Sequence, residues 1–331
     1  MNKKPFIVAE MSGNHNQSLE RALAIVDAAA DAGAHAIKLQ TYTADTITMK
    51  GVYTITDKKS LWKSRDLYDL YQEAHTPWEW HNAIFERAKN RGMICFSTPF
   101  DETAVDFLEK LGNPIYKIAS FEVNHIPLLK YIAKIGKPVI MSTGASTLSE
   151  IDEAVKTLRA NGCNDLTLLK CTSTYPATPE DTNLVTIPHM AKLFNCKVGL
   201  SDHTLGVGVS LAAVALGVSV IEKHFCLSRA EGGVDSAFSL EPEELKLLVE
   251  ESARASLALG KINYDVLPAE RNSRIFKRSI YASKDIKKGE KFTKKNIKVI
   301  RPSFGLEPKY FEGQLKKSAN KNYKAGEPLT E

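Results

Sequence analysis

Short apolar runs alternate with amphipathic segments along most of the chain. The runs are "PFIVAEM" (5 to 11), "AIKLQ" (36 to 40), "MICFSTP" (93 to 99), "YKIAS" (116 to 120), "PVIMST" (138 to 143), "LTLLKCTS" (166 to 173), "VGLSD" (198 to 202) and "VIEKHF" (220 to 225). Between them, segments such as "LERALAIVDAAADAG" and "LSEIDEAVKTLRANG" repeat apolar residues at the helical period. Each closes on Gly, the residue that best tolerates the left-handed turn after a helix. The eight runs are too apolar for a sheet with one face in water, so each predicts a strand covered on both sides. A strand–helix unit repeated eight times predicts an α/β fold, the (β/α)8 or TIM barrel. The connection from Thr41 to Thr76 is far longer than the others and contains "SLWKSRDLYDLYQEAHTPWEW". A segment of that size is expected to carry structure or function of its own.

In such barrels chemistry sits at the C-terminal strand ends. Polar residues collect there: Glu10; Lys38 and Gln40; Ser97 and Thr98; Lys117, Ser120 and Glu122; Ser142 and Thr143; Lys170, Thr172 and Ser173; Ser201, Asp202 and His203; Glu222, Lys223 and His224. Buried charges cost free energy unless paired, so a purely structural barrel would have little reason to gather them. The seventh and eighth strands would be neighbours about 4.8 Å apart. His203 and His224 at their tips could then share one divalent cation whose other ligands are oxygens. Such an ion polarises a carbonyl oxygen; this donor set does not separate Mn²⁺ from Mg²⁺, Co²⁺ or Zn²⁺. A lone strand-end histidine is more often structural, and two at matching positions favour the metal.

Lys38 and Lys117, the hydroxyls of Thr98, Ser120, Ser142 and Ser201, and the amides of "STGAS" form an expected cradle for phosphate or carboxylate. The competing arrangement pairs each lysine with Glu10 or Glu122. His15 in "SGNHN" reads as a loop hydrogen-bonding residue. His75, His81, Trp78 and Trp80 read as packing and lid residues, and Tyr68 and Tyr71, at helical spacing, as facing the barrel.

Length and charge add a second part. A chain of 331 residues suits a barrel of about 250 residues with something appended. From Phe276 onward there are 15 Lys and Arg against 6 Asp and Glu, net +9, leaving 29 against 33, net −4, in the rest. That basic part has neither the aromatic-rich strand of RNA-binding sheets nor a basic recognition helix. It reads as a solvated face, or one that draws in an anionic substrate, and not as a nucleic-acid site. No apolar run reaches the roughly 18 residues of a membrane helix, and the N-terminus meets Glu10 before any signal-type stretch develops. The expectation is a cytoplasmic protein. Its five cysteines form no CxxC pair and read as reduced thiols, most of them core, Cys226 included.

The motifs "AEMSGNHN", "AIKLQTY", "FSTPFD", "YKIAS", "STGAS", "CTSTYP", "GLSDHT", "EKHF", "RSIYASKDIKKGE" and "RPSFGL" occur in this order over almost the entire chain. In them the sequence resembles the sialic acid synthase family, which condenses phosphoenolpyruvate with an amino sugar. Within it, "LYDLYQEAHTPWEWH", Ser173 where N-acetylneuraminate synthases usually carry Asn, and "RPSFGL" are similar to the branch acting on 2,4-diacetamido-2,4,6-trideoxy-L-altrose. The alternatives are the N-acetylneuraminate and legionaminate branches, which use other acetamido sugars.

The resemblance implies a barrel over 1–260, a linker over 261–278 and an antifreeze-like (SAF) domain over 279–331. It implies that Lys38, Thr98, Lys117, Ser120, Ser142, Ser173 and Ser201 hold phosphoenolpyruvate, and that Gln40, Glu122, Tyr175, Asp235 and Arg301 surround the sugar. Glu10 falls where the family has an essential carboxylate. His203 and His224 would hold Mn²⁺, with Mg²⁺ or Co²⁺ as alternatives, and with Glu10 make up the expected catalytic group. A homodimer with a swapped C-terminal domain is also implied, with Arg301 entering the neighbouring site.

Overall fold

The computed structural model describes residues 4–330. The chain divides into two units, Met1–Gly260 and Lys261–Glu331. The first is a closed barrel of eight parallel strands: β1 (Phe6–Glu10), β2 (Ala36–Thr41), β3 (Ile94–Pro99), β4 (Tyr116–Ile118), β5 (Val139–Ser142), β6 (Leu166–Cys171), β7 (Lys197–Asp202) and β8 (Val220–His224). Every apolar run of the sequence became one of these strands. Helices between them cover the outside, so each strand is buried on both faces, as its composition requires.

The helix ends follow local chemistry. Ser18 accepts a hydrogen bond from the Arg21 amide to start the helix Leu19–Asp31, and Thr147 with Glu150 forms a capping box for Leu148–Ala160. Gly33 and Gly162 follow these helices at φ +84° and +113°, a region an L side chain enters only under strain.

Strand side chains alternate, and the alternation divides the barrel into two populations. Ile7, Ile37, Ile118, Met141, Leu168, Leu200 and Ile221 point outward into the core shared with the helices. Val8, Ala36, Phe96, Ile140, Leu169 and Val220 point inward and form an apolar layer of their own. Gly199 belongs to that inner layer and has no room for more: a Cβ there would lie 2.4 Å from the Val220 carbonyl oxygen and 2.5 Å from Leu169 Cδ2. The layer plugs the barrel interior, and the next inward residues, two positions further along, face the mouth.

The long connection after β2 has structure of its own. It contains the short helix Ala44–Ile47, an antiparallel bridge between Thr54 and Asp66, and the helix Leu67–Ala74. Tyr71 packs against Tyr42 at 5.6 Å between ring centres, whereas the Tyr68 hydroxyl donates to Asp45 on the exposed side. Only Tyr71 of that pair faces inward.

The second unit pairs β9 (Ser279–Ala282) antiparallel with β10 (Ile297–Ile300) over a small core of Ile280, Ile286, Phe292, Ile297, Tyr323 and Leu329. No helix among the described residues is long and apolar enough to cross a membrane.

Candidate active site

Four of the inward positions immediately above the apolar layer are ionic. Glu10 ends β1, Lys38 sits in β2, Lys117 in β4 and Glu222 in β8, and all four are at most 5% exposed. Lys38 Nζ lies 2.5 Å from Glu10 Oε2 and 4.0 Å from Glu222 Oε2, and donates to Thr98 Oγ1 at 3.2 Å. Lys117 Nζ reaches across the barrel from β4 to within 3.5 Å of Glu222 Oε1 on β8, and donates to Ser142 Oγ at 2.8 Å. Ser201 donates to the same Glu222 oxygen at 3.0 Å. The two lysines are therefore neutralised by Glu10 and Glu222; the partner of Lys117 is Glu222, not Glu122.

The two carboxylates differ. Burial lifts Glu10 above the usual carboxylate range, Lys38 opposes this, and the nearby negative charge of Glu222 adds to it. Burial acts on Glu222 too, but Lys117, Lys38 and the Ser201 hydroxyl outweigh it and hold that carboxyl below its ordinary value. Glu222 is the standing charge, and Glu10 is the group able to take up a proton. Burial pushes Lys117 down, whereas for Lys38 the attraction of Glu10 and Glu222 overcomes burial and the net direction is up. Burial also carries Glu122 to about 7, against the pull of Lys117.

Beside this layer lies a cradle around Gly144. Its amide donates to Ser120 Oγ at 3.1 Å, and a Cβ there would fall 2.2 Å from Ser173 Oγ and 3.2 Å from Cys171 Sγ. A glycine is required for this close approach. Ser120, Ser142, Ser173 and Ser201 thus share one region with the two ammonium groups, the donor set an anion needs.

His203 and His224 stand one step nearer the mouth, their ring centres 5.3 Å apart. The Nδ1–H of His203 donates to the Thr172 carbonyl at 2.9 Å; burial lowers this ring, but Cys171 and that carbonyl outweigh it and hold His203 above its ordinary value, so Nε2 offers a lone pair once its proton has left. Burial, reinforced by the charge of His203, keeps His224 neutral, and its Nδ1 is buried without a hydrogen-bond partner, 3.6 Å from Asp235 Oδ2. Two neutral-capable imidazoles, one oriented by a carbonyl and one with an orphaned nitrogen beside a carboxylate, fit a divalent cation. Among the described residues no three His, Cys, Asp or Glu side chains close a site by themselves. Water or substrate would have to complete the shell.

The sugar-side expectations gather on the same rim, with one exception. Gln40 Nε2 donates to Glu10 at 2.8 Å and to Ser12 Oγ at 3.1 Å, and Ser12 donates to Asp235. Tyr175 packs 4.5 Å from His203 and 5.2 Å from Phe238 between ring centres. Arg301 belongs to the second unit, where it follows β10 and is exposed.

Several strand-end residues leave the ring predicted from the sequence, among them Ser97, which bonds Thr41, and Thr143, which meets Met190 in the outer core. Asp202 and Lys223 pair with each other at 3.1 Å on the outer face, where Lys223 also donates to the Thr204 and Gly206 carbonyls and Asp202 accepts from Ser210. Lys170 points outward as well and donates to the Cys171 carbonyl. Alternation is the reason, since each lies one residue from an inward position. Conversely, Glu222 stood in the predicted ring without a role of its own, and Cys171 and Ser12 were passed over. Glu222 and Cys171 sit two residues before His224 and Ser173, so they share the inward face. Cys171 is not simply core: burial would raise its thiol, but contact with His203 brings it to about 6. His15, fully buried, bonds the Gln17 amide and Thr76, as a loop residue should.

A closed (β/α)8 barrel with a balanced ionic layer, an anion cradle and paired imidazoles at its C-terminal mouth defines an enzyme barrel built for an anionic substrate. The chain belongs to the NeuB family, whose profile matches residues 25–264, and a SAF domain matches residues 277–331. It is 48% identical over 330 residues to the pseudaminic acid synthase of Campylobacter jejuni subsp. jejuni, covering 99% of this chain and 96% of that protein. The N,N'-diacetyllegionaminic acid synthase of the same organism is 39% identical over 333 residues, covering 99% and 100%. The crystal structure of N-acetylneuraminic acid (sialic acid) synthetase from Leptospira borgpetersenii serovar Hardjo-bovis superposes with TM-score 0.72 at 33% identity, covering 82% of this chain and 90% of that one. The protein is an enzyme of the sialic acid synthase kind.

Proposed function

We propose that this enzyme is a carbon–carbon bond-forming transferase. It condenses phosphoenolpyruvate with 2,4-diacetamido-2,4,6-trideoxy-L-altrose to give pseudaminic acid and phosphate. The observation that carries the reading is the placement of Lys38, Lys117 and the Gly144 cradle directly beside His203 and His224. It is joined by the higher identity to the pseudaminic than to the legionaminic synthase.

Lys38, Thr98, Lys117, Ser120, Ser142, Ser173 and Ser201 hold the phosphate and carboxylate of the donor. At about 4 Å each ammonium supplies about 4 kcal/mol of attraction at an effective dielectric of 20, before desolvation. Gln40, Glu122, Tyr175 and Asp235 surround the open-chain sugar and set its aldehyde against the donor's C3; such side-by-side placement is a large part of catalysis. A cation held by His203 and His224, Mn²⁺ in this reading, with Mg²⁺ or Co²⁺ as substitutes, would polarise the aldehyde oxygen. C3 attacks C1, water adds at the positive C2, and the resulting tetrahedral carbon expels phosphate by C–O cleavage. Glu10, buried and able to take up a proton, accepts one from the entering water and returns it to the alkoxide formed at the sugar's C1, which becomes the new hydroxyl.

In the same reading the enzyme is a cytoplasmic homodimer, because phosphoenolpyruvate is drawn from central metabolism and the second unit exposes apolar residues that need a cover. Ile262 is 91% exposed, Tyr264 98% and Phe276 63%. The partner subunit's Arg301 would then complete the sugar site.

The test is phosphate release from phosphoenolpyruvate with the altrose derivative, N-acetylmannosamine and a legionaminate-type precursor side by side, with and without chelator. Release is expected to require metal and to be much faster with the altrose derivative than with either other sugar. Equal turnover of N-acetylmannosamine refutes the assignment.

A further inference from the structure

The long connection after β2 contributes one residue to the mouth that no motif pointed to. Residues 48–66 are mostly exposed, and their large apolar side chains stand in solvent: Met49 is 69% exposed and Val52 63%. Trp62 departs from this pattern. Its ring centre lies 5.7 Å from that of Tyr175, and its indole N–H donates to the Val234 carbonyl at 2.9 Å, one residue before Asp235. The segment that carries it is held in place, because Ile55 donates its amide to the Arg65 carbonyl at 2.9 Å and Ser64 donates back to the Ile55 carbonyl at 2.8 Å. Trp62 also belongs to none of the apolar cores among the described residues. It touches the loop after β6 and the loop after β8, the two that supply Tyr175 and Asp235.

We propose that Trp62 is a specificity-determining residue, which forms with Tyr175 and Phe238 an aromatic bay for the methyl-bearing end of a deoxy, acetamido sugar. The inference rests on the reading above. An aromatic face attracts C–H groups and acetamido methyls, and it offers a hydroxylated chain only the loss of its water. A site of this kind discriminates by apolar contact, which is worth tens-fold in rate ratio and not thousands-fold. The indole N–H is already committed to Val234, so the ring is fixed before substrate arrives and little ordering has to accompany binding.

The experiment is steady-state kinetics of full-length, metal-loaded enzyme carrying Trp62→Phe, Trp62→Leu or Trp62→Ala, varying each substrate in turn. In Trp62→Ala the KM for the diacetamido sugar is expected to rise about tenfold or more, while the KM for phosphoenolpyruvate moves less than about twofold. The preference for that sugar over N-acetylmannosamine should fall by a similar factor. Trp62→Phe should retain most of the preference, and Trp62→Leu, which keeps an apolar side chain without an aromatic face, should lose it. Trp62→Leu and Trp62→Phe decide the matter if the alanine variant does not fold. An unchanged sugar KM and preference overturn the proposal, as does a parallel rise of both KM values with a lowered melting temperature, the signature of a structural strut. Wild-type enzyme that fails to turn over the altrose derivative refutes the parent reading instead, so the two failures are separable.

Discussion

Two layers of the barrel interior lie two residues apart on the same strands and do opposite work. The lower, from Val8, Ala36, Phe96, Ile140, Leu169 and Val220, is apolar and filled to the point that Gly199 has no space for a methyl group. The upper, from Glu10, Lys38, Lys117 and Glu222, buries four charges in mutual contact. Close packing stabilises the first layer, whereas the second spends desolvation energy that its own pairing only partly offsets. Stability and chemistry are thus separated by height along a strand, not by sequence region.

The contrast can be broken most sharply at Lys117. Lys117→Ala should lower kcat/KM for phosphoenolpyruvate about 1000-fold. It should also cost about 3 kcal/mol of barrel stability, because Glu222 loses a buried partner; urea unfolding checks this. Phe96→Ala in the lower layer should cost about 3–5 kcal/mol in the same unfolding experiment, yet leave kcat of the folded fraction near wild type.

Acid tests a third region, the packing under the long connection. Burial lowers His15 and His81 to about 4 from an unfolded value of 6.5. The unfolded chain therefore binds more protons between these values. Stability is complete above pH 6.5 and falls as pH drops toward 4, by about 3 kcal/mol per histidine. His81→Gln should flatten that acid limb, and a loss confined to pH above 7 would contradict the assignment.

Most of the fold was legible because period-two and period-3.6 patterns encode it directly, and all eight strands were found. The site was legible in outline for the same reason: polar residues at strand ends stand out against apolar runs. Which of them face inward follows from counting in twos, a step that separates Glu222 from Lys223 and Ser201 from Asp202. The contact between Lys117 and Glu222 could not be read that way, because it joins β4 to β8 and exists only once the barrel closes. Trp62 and Ser12 were missed because their partners come from loops, whose paths no periodicity fixes.

The four buried charges of the upper layer sum to zero when both glutamates are ionised. A trianionic guest entering such a neutral compartment brings an unmatched excess, which must be met by a proton or a cation taken up from solution. Donor affinity and cation affinity are then reciprocal quantities: whatever factor one gains from the other's presence, the other gains in return.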